Sequence, residues 1–226
     1  MNWCALLYSI LCLNSVTFLN AQIQPKPESI LIHSTIQAEG GMPLDMVVST
    51  KKQKFIRASI FNPTKTAGAT IVYNDKKIQT HEESGSESSL RMLSGEDAAG
   101  NLFDLLALNP EYHFSKDDSF NLKIPVFDGY RLELLKEDTP IPGTDRYRPK
   151  KMLLYEVGDT DDSLIRSIEY ISYFEMIEPY LLPKEIKFID ESTGETGRIT
   201  VQKVEYNVGL PDFLFRIREP AENLKK

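Results

Sequence analysis

Cysteine is nearly absent from this sequence of 226 residues, and both cysteines, Cys4 and Cys12, lie close to its start. We expect this first segment to be removed as a signal, so that the mature protein contains no cysteine. A mature protein without cysteine can have no disulfide bonds, no thiol catalysis and no cysteine-ligated metal site.

A cluster of basic residues is also missing. Lysine and arginine together number 26 and aspartate and glutamate 33, so the formal net charge is −7. Proteins that bind nucleic acid or dock electrostatically on anionic lipid usually concentrate positive charge in one region. The composition therefore argues against nucleic acid as a partner and against electrostatic attachment to a membrane surface.

The first 21 residues carry no charged side chain. Their apolar centre, residues 5–13, is too short to span a bilayer, which needs about 20 apolar residues. A short apolar core followed by polar residues and a small residue is typical of a secretory signal. We predict cleavage after Ala21, so that residues 22–226 form a single domain in the periplasm. A lipid anchor on Cys12 is the less favoured alternative, because Leu11 precedes it where a small residue is expected.

Motifs for catalysis or metal binding are absent as well. The three histidines, His33, His81 and His113, do not have metal-ligand spacing. The sequence contains neither a nucleophile elbow nor a phosphate-binding glycine loop. The aspartates of residues 159–162 lack the glycine and distal glutamate of a calcium loop and fit a solvated turn. We therefore predict no catalytic residues, no metal, no cofactor and no enzymatic activity.

What the chain does contain is a succession of short strand-like runs separated by turn residues. Asn74-Asp75, for example, separates two such runs as a hairpin turn would. The pattern predicts one antiparallel sheet of about ten strands in a mainly β fold with some α (α+β). The predicted strands are residues 29–39, 44–50, 55–61, 69–73, 77–81, 130–136, 151–157, 164–176, 184–189 and 198–206.

A single helix is predicted midway along the chain, at residues 95–108, after a polar loop at 84–89. Ser94 and Asp97 have the spacing of a capping box, and Asn109-Pro110 ends the helix. One helix cannot cover about ten strands. The sheet must therefore curl and close on itself or keep a concave apolar face for a guest. The large apolar residues of this helix are Leu102, Phe103, Leu105, Leu106 and Leu108.

Longer motifs then suggest a family. They are S-I-E-Y (167–170), S-Y-F-E-M-I-E-P-Y-L-L-P-K-E-I-K-F (172–188) and T-G-R-I-T-V-Q-K-V-E-Y-N-V-G-L-P-D-F-L-F (196–215). Together with G-G-M-P-L-D-M-V-V (40–48) and K-F-I-R-A-S-I-F (54–61), they resemble the LolA/LolB-like superfamily of outer-membrane lipoprotein-sorting proteins. The resemblance covers residues 30–61 and 130–216 and leaves out the middle of the chain.

The resemblance implies a curved antiparallel half-barrel with a helical lid across its concave face. The apolar cavity of such a fold takes acyl chains of lipoproteins or phospholipids, which implies a carrier in lipoprotein or lipid sorting. An inner-membrane export complex or an outer-membrane acceptor would be its protein partner. The alternative is an envelope sensor that binds a protein partner in the same cavity. Residues 22–28 are too short for the amphipathic helix with which the family usually begins.

Alternation along the predicted strands nominates the cavity residues, and each of them is equally compatible with plain core. Within the helix, Leu102, Phe103 and Leu106 are the lid residues. Arg57 shares a face with Phe55, and the sequence leaves open whether it points inward or to solvent. The predicted ligand-binding residues are Leu44, Met46, Val48, Phe55, Tyr130, Leu132, Leu134, Ile168, Tyr170, Phe174, Ile186 and Phe188.

The end of the chain combines a stop signal with apolar residues. Gly209 and Pro211 end the last predicted strand, and Asp212 is placed to cap a short turn. We predict that Phe213 and Phe215 fold back against the end of the sheet and seal one of its edges.

Overall fold

The computed structural model of the protein describes residues 27–52, 54–62, 68–74, 77–84, 87–108, 128–142, 147–175 and 182–218. The expected signal segment and its cleavage site lie outside these ranges, and so does His113.

Eleven strands within the described ranges form one antiparallel sheet. Their order across the sheet is β6-β5-β4-β3-β2-β1-β11-β10-β9-β8-β7, so strands consecutive in sequence are neighbours except for β6 and β7. The strands are β1 (Ser29–Ala38), β2 (Leu44–Lys51), β3 (Phe55–Phe61), β4 (Gly68–Asn74), β5 (Lys77–Ser84), β6 (Glu87–Leu93), β7 (Tyr130–Lys136), β8 (Pro149–Glu156), β9 (Ser163–Tyr173), β10 (Pro183–Asp190) and β11 (Thr196–Tyr206).

The first and last strands meet at the centre of the sheet. β1 pairs with β11 from Ile30 opposite Tyr206 to Ala38 opposite Gly197, with a bulge between His33 and Ser34. This pairing joins two meanders, β1–β6 and β7–β11, and leaves β6 and β7 as the two edges. The predicted curved antiparallel sheet is confirmed: it is open rather than closed, as in a half-barrel.

One α-helix occurs in the described part of the chain, α1 (Gly95–Ala107), and it begins directly after edge strand β6. Helix α1 packs against β8 and β9, which lie toward the opposite edge of the sheet. We call the face that packs with α1 the inner face and the opposite one the outer face.

The hydrophobic core lies between α1 and the inner face. Alternate residues of neighbouring strands supply it, for example Ile32, Val48 and Ile168, together with Leu102 and Phe103 of the helix. Side chains on one face of a strand repeat every second residue, except where a bulge in β9 or β11 shifts the repeat by one position. Full burial of such a side chain contributes roughly 1.5–3 kcal/mol.

The predicted loop at residues 84–89 is wrong. β5 extends to Ser84 and β6 begins at Glu87, with Glu82 opposite Ser89 and Glu83 opposite Ser88. β6 is the edge strand and β5 lies next to it, and polar side chains at a sheet edge discourage pairing with other molecules. Their composition therefore lacks the apolar alternation that identifies strands nearer the centre.

The predicted capping box does not form either. Ser94 occupies the N-cap position with extended backbone, but its side chain makes no capping hydrogen bond. Asp97 instead accepts a hydrogen bond from Arg91 of β6. The helix start is therefore tied to the edge strand by side chains rather than capped by its own serine.

The C-terminal residues fold back, as predicted, but onto the outer face rather than an edge. A 3₁₀ turn, Asp212–Phe215, packs against β3 and β4. Phe215 is 2% exposed and its ring centroid lies 6.1 Å from that of Phe55, whereas Phe213 is 64% exposed. Asp212 pairs with Lys51 at 2.7 Å instead of capping the turn. The prediction that this segment seals a sheet edge is wrong, because both edges lie elsewhere.

Candidate functional site on the inner face

Most of the predicted cavity residues share the inner face. Leu44 stands opposite Ile36 on the neighbouring strand. The fully buried members are Met46, Val48, Leu132, Ile168 and Ile186, and the partly buried ones that pack on the same core are Tyr130, Leu134, Tyr170, Phe174 and Phe188.

Phe55 is the exception. The inner-face residues of β3 are Ile56, Ala58 and Ile60, so Phe55 points to the outer face, where it meets Phe215. β3 carries large apolar residues on both faces at this point, and an error of one residue reverses every assignment in a strand. Arg57 shares this outer face and donates to the carbonyl oxygen of Leu214 at 3.5 Å, which excludes an inward role.

The predicted lid residues lie deep in the interface between helix and sheet. Leu102 and Phe103 are fully buried and Leu106 nearly so, all within the inner-face core. Helix α1 therefore covers the part of the inner face formed by β8 and β9 with its apolar side chains.

Helix α1 leaves other parts of the inner face less well covered. Ile32, Val48 and Ile168 are almost inaccessible to solvent. A further set of apolar residues packs on the same core but stays partly exposed, and these are the positions at which an apolar guest could extend the core. They are Ile36, Ile60, Ile71, Leu93, Tyr130, Leu134, Tyr170, Phe174, Phe188, Val204 and Tyr206.

Tyr170 adds a polar group to this surface. Its hydroxyl is buried and has no hydrogen-bond partner among the described residues, while its ring stacks on Tyr173 with centroids 6.0 Å apart. Burial raises the pKa of Tyr170 above its ordinary value, so the group stays a neutral donor. An unpaired buried hydroxyl costs about 1–3 kcal/mol, and a ligand oxygen could offset that cost.

An ion pair links α1 to the sheet. Arg166 of β9 donates from Nη1 to Oδ2 of Asp104 at 2.8 Å, and its Nη2 lies 4.0 Å from Oδ2 of Asp190. A Cβ at Gly100 of the helix would come within 2.6 Å of the guanidinium carbon. Glycine inside a helix costs about 1 kcal/mol relative to alanine, and here it leaves room for Arg166.

The Asp104 carboxyl group is unusual. Burial raises its pKa to about 6, and the neighbouring Arg166 opposes this rise without cancelling it. The side chain nevertheless keeps 38% of its surface accessible, so the carboxyl lies in a crowded crevice rather than a sealed interior. Sequence reasoning missed this pair because 62 positions separate its members. The available signal was a charge, Arg166, among apolar inner-face residues of β9.

Replacing Asp104 by asparagine should make the protein more stable relative to wild type as pH rises from 4 to 7. The folded protein holds the Asp104 proton up to about pH 6, whereas the unfolded chain releases it near 3.8. The stability that Asp104 supplies to the wild type is therefore fully present below pH 3.8 and is lost as the pH rises through about 6. Urea unfolding of both proteins across this range measures the difference.

Asp97→Asn, which removes one negative charge from an exposed position of the same helix, controls for net charge. A difference between Asp104→Asn and wild type that falls or stays constant with pH would show that the ion pair outweighs the cost of burying the carboxylate.

Metal coordination finds no support on the described surface. No group of three His, Cys, Asp or Glu side chains in the described ranges could hold an ion. His33 Nε2 lies 3.4 Å from Glu205 Oε1, and His81 Nδ1 lies 3.6 Å from Glu83 Oε1, so each of these histidines faces a single carboxylate.

Among the described helical segments, none combines the length and apolar character needed to cross a bilayer.

Solved structures provide the comparison that matters for the fold. A domain from Vibrio parahaemolyticus, to which outer-membrane lipoprotein sorting is provisionally ascribed, superimposes with a TM-score of 0.52 and 15% identity over 90% of this chain and 98% of its own. A DUF1329 family protein from Desulfovibrio piger has a TM-score of 0.51 and 16% identity over 86% of this chain and 92% of its own. The chain shares the fold of these two solved domains.

This finding confirms the resemblance drawn from the motifs, and identities of 15–16% limit it to the fold. A LolA superfamily protein from Nitrosomonas europaea aligns over 85% of this chain and 91% of its own at 16% identity, with a TM-score of 0.49. No protein-family model matches the chain. No curated protein matches it in sequence.

Proposed function

We propose that this protein is a periplasmic, non-enzymatic carrier that binds acyl chains of lipoproteins or phospholipids on the inner face of its sheet. One observation supports the proposal above the others: on a LolA-like fold, α1 leaves a set of apolar inner-face side chains only partly covered. Apolar chains gain roughly 0.8 kcal/mol for each methylene that leaves water, so such a surface suits an acyl guest.

Helix α1 would serve as the lid. It is joined to the sheet by side chains alone, through Leu102, Phe103 and Leu106 and the Arg166–Asp104 pair. An acyl chain could replace the apolar contacts that the helix gives up on opening. The apolar residues of the inner face would then contact the acyl chain instead of the helix, which keeps the free energy of opening small.

The buried Tyr170 hydroxyl would orient the polar end of the guest. Ester and amide carbonyls of lipids are hydrogen-bond acceptors, and the hydroxyl is a donor without a partner among the described residues. Delivery would involve an inner-membrane export complex and an outer-membrane acceptor, in keeping with export of residues 22–226 as one domain.

The protein purified from its native envelope without detergent should carry lipid. Native mass spectrometry, followed by organic extraction and lipid analysis, would detect the bound species and its acyl length. Recovery of a stoichiometric protein partner in place of lipid would favour the sensor role instead. Lipid-free protein that also fails to take up added phospholipid would contradict both the carrier role and the lid.

A further inference from the structure

The C-terminal segment, residues 207–218, is held on the outer face by hydrogen bonds to its backbone. Asn74 donates from Nδ2 to the carbonyl oxygen of Phe215 at 2.9 Å. The buried side chain of Gln79 donates to the carbonyl oxygen of Arg218 at 2.5 Å and accepts from its N–H at 2.9 Å. Gln79 thus pairs with the segment as a neighbouring strand would, and it fixes the position of the residues around Arg218.

This docking encloses a pocket of about 410 Å³, including space open to solvent, between the segment and strands β3–β6. Three arginines line it, Arg57 from the sheet and Arg216 and Arg218 from the segment. Among the described residues, Arg57 donates to Ser59 Oγ at 3.4 Å and to the carbonyl oxygen of Leu214 at 3.5 Å. In the described part of the chain, no carboxylate lies within salt-bridge distance of these three side chains.

Three arginines that line one pocket are unexpected in a chain whose net charge is −7. A bound anion would balance their positive charge. A phosphate group carries about 1.5 to 2 negative charges and three acceptor oxygens, and arginine forks match it through paired N–H donors. Phe213 and Leu90 give the pocket apolar walls beside the arginines.

We propose that this outer-face pocket is a second binding site, which takes a phosphate group attached to a small apolar moiety. Phospholipid headgroups and soluble phosphate esters share this chemistry. The site lies on the opposite side of the sheet from α1, so its occupancy is independent of the carrier role proposed for the inner face.

Titration by isothermal calorimetry tests the site with two kinds of probe: phenyl phosphate in solution, and phosphatidylcholine vesicles containing phosphatidic acid. The wild type should bind one of them saturably, and which one it binds identifies the source of the phosphate. Arg216→Gln with Arg218→Gln should weaken that binding by about tenfold or more, since each removes charge-assisted hydrogen bonds.

Arg198→Gln with Lys203→Gln is the matched control, because it removes the same two charges from exposed positions on β11. It should leave the affinity unchanged. Leu90→Trp keeps every charge and narrows the pocket, so it should weaken binding in a fully folded protein. Absence of saturable binding to both probes, or an equal loss in the control variant, would overturn the proposal.

Discussion

Replacing Phe103 by alanine should speed amide hydrogen exchange in α1 by more than about a hundredfold, with exchange in β1 and β11 staying within a few-fold of wild type. Phe103 has no accessible surface and belongs to the core between helix and sheet. Truncation of a buried phenylalanine costs about 3–5 kcal/mol, and each 1.4 kcal/mol is a factor of ten in an equilibrium.

The effect should be confined to α1 because the helix and the central strands β1 and β11 are stabilised in different ways. Helix α1 satisfies its backbone internally and touches the sheet through side chains, whereas β1 and β11 are hydrogen-bonded to neighbours on both sides. Loss of packing at Phe103 should therefore release the helix before it disturbs the central strands. Hydrogen exchange followed by mass spectrometry resolves the two regions.

Phe213→Ala is a matched control, because this phenylalanine is largely exposed on the outer face and its loss should leave exchange in α1 unchanged. If β1 and β11 lose protection together with α1, the helix is an inseparable part of the core. The lid would then be disproved, although the fold would stand.

The second large effect concerns binding of acyl chains. Leu134→Asp should reduce the affinity for a fluorescent fatty-acyl probe by about tenfold or more, because it places a charge on the surface that the chain would cover. Leu134 lies on the inner face of β7 opposite Met152, and it is only partly buried, so the fold should tolerate the change. Fluorescence titration measures the affinity, and circular dichroism checks the fold.

The adjacent residue supplies the control. Leu135 is 38% exposed, and alternation along β7 turns it to the outer face, so Leu135→Asp should leave binding within about twofold of wild type. In the wild type, each added methylene should raise the affinity by about fourfold while the surface can still cover it. Equal effects of the two variants, or affinity independent of chain length, would exclude the inner face as the acyl site.

Local patterns in the sequence were sufficient for the helix and for ten of the eleven strands in the described part of the chain, with β6 missed. The predicted helix at 95–108 is found at Gly95–Ala107, and the predicted last strand at 198–206 is found at Thr196–Tyr206. Alternation also assigned Met46, Val48 and Leu132 to the face that α1 covers. These features depend on neighbours within a few positions, so the periodicity of side chains is enough to reveal them.

The tertiary structure decided everything that depends on contacts between distant segments. Only the assembled structure shows that Phe55 contacts Phe215 and that Arg166 pairs with Asp104. The same is true of the hydrogen bond from Gln79 to the backbone of Arg218, which lies 139 positions away in sequence. The pairing of β1 with β11 joins the two meanders and leaves β6 and β7, which are consecutive in sequence, at opposite edges of the sheet. No local pattern encodes such contacts, because they form between segments that are far apart in sequence and meet only when the sheet assembles.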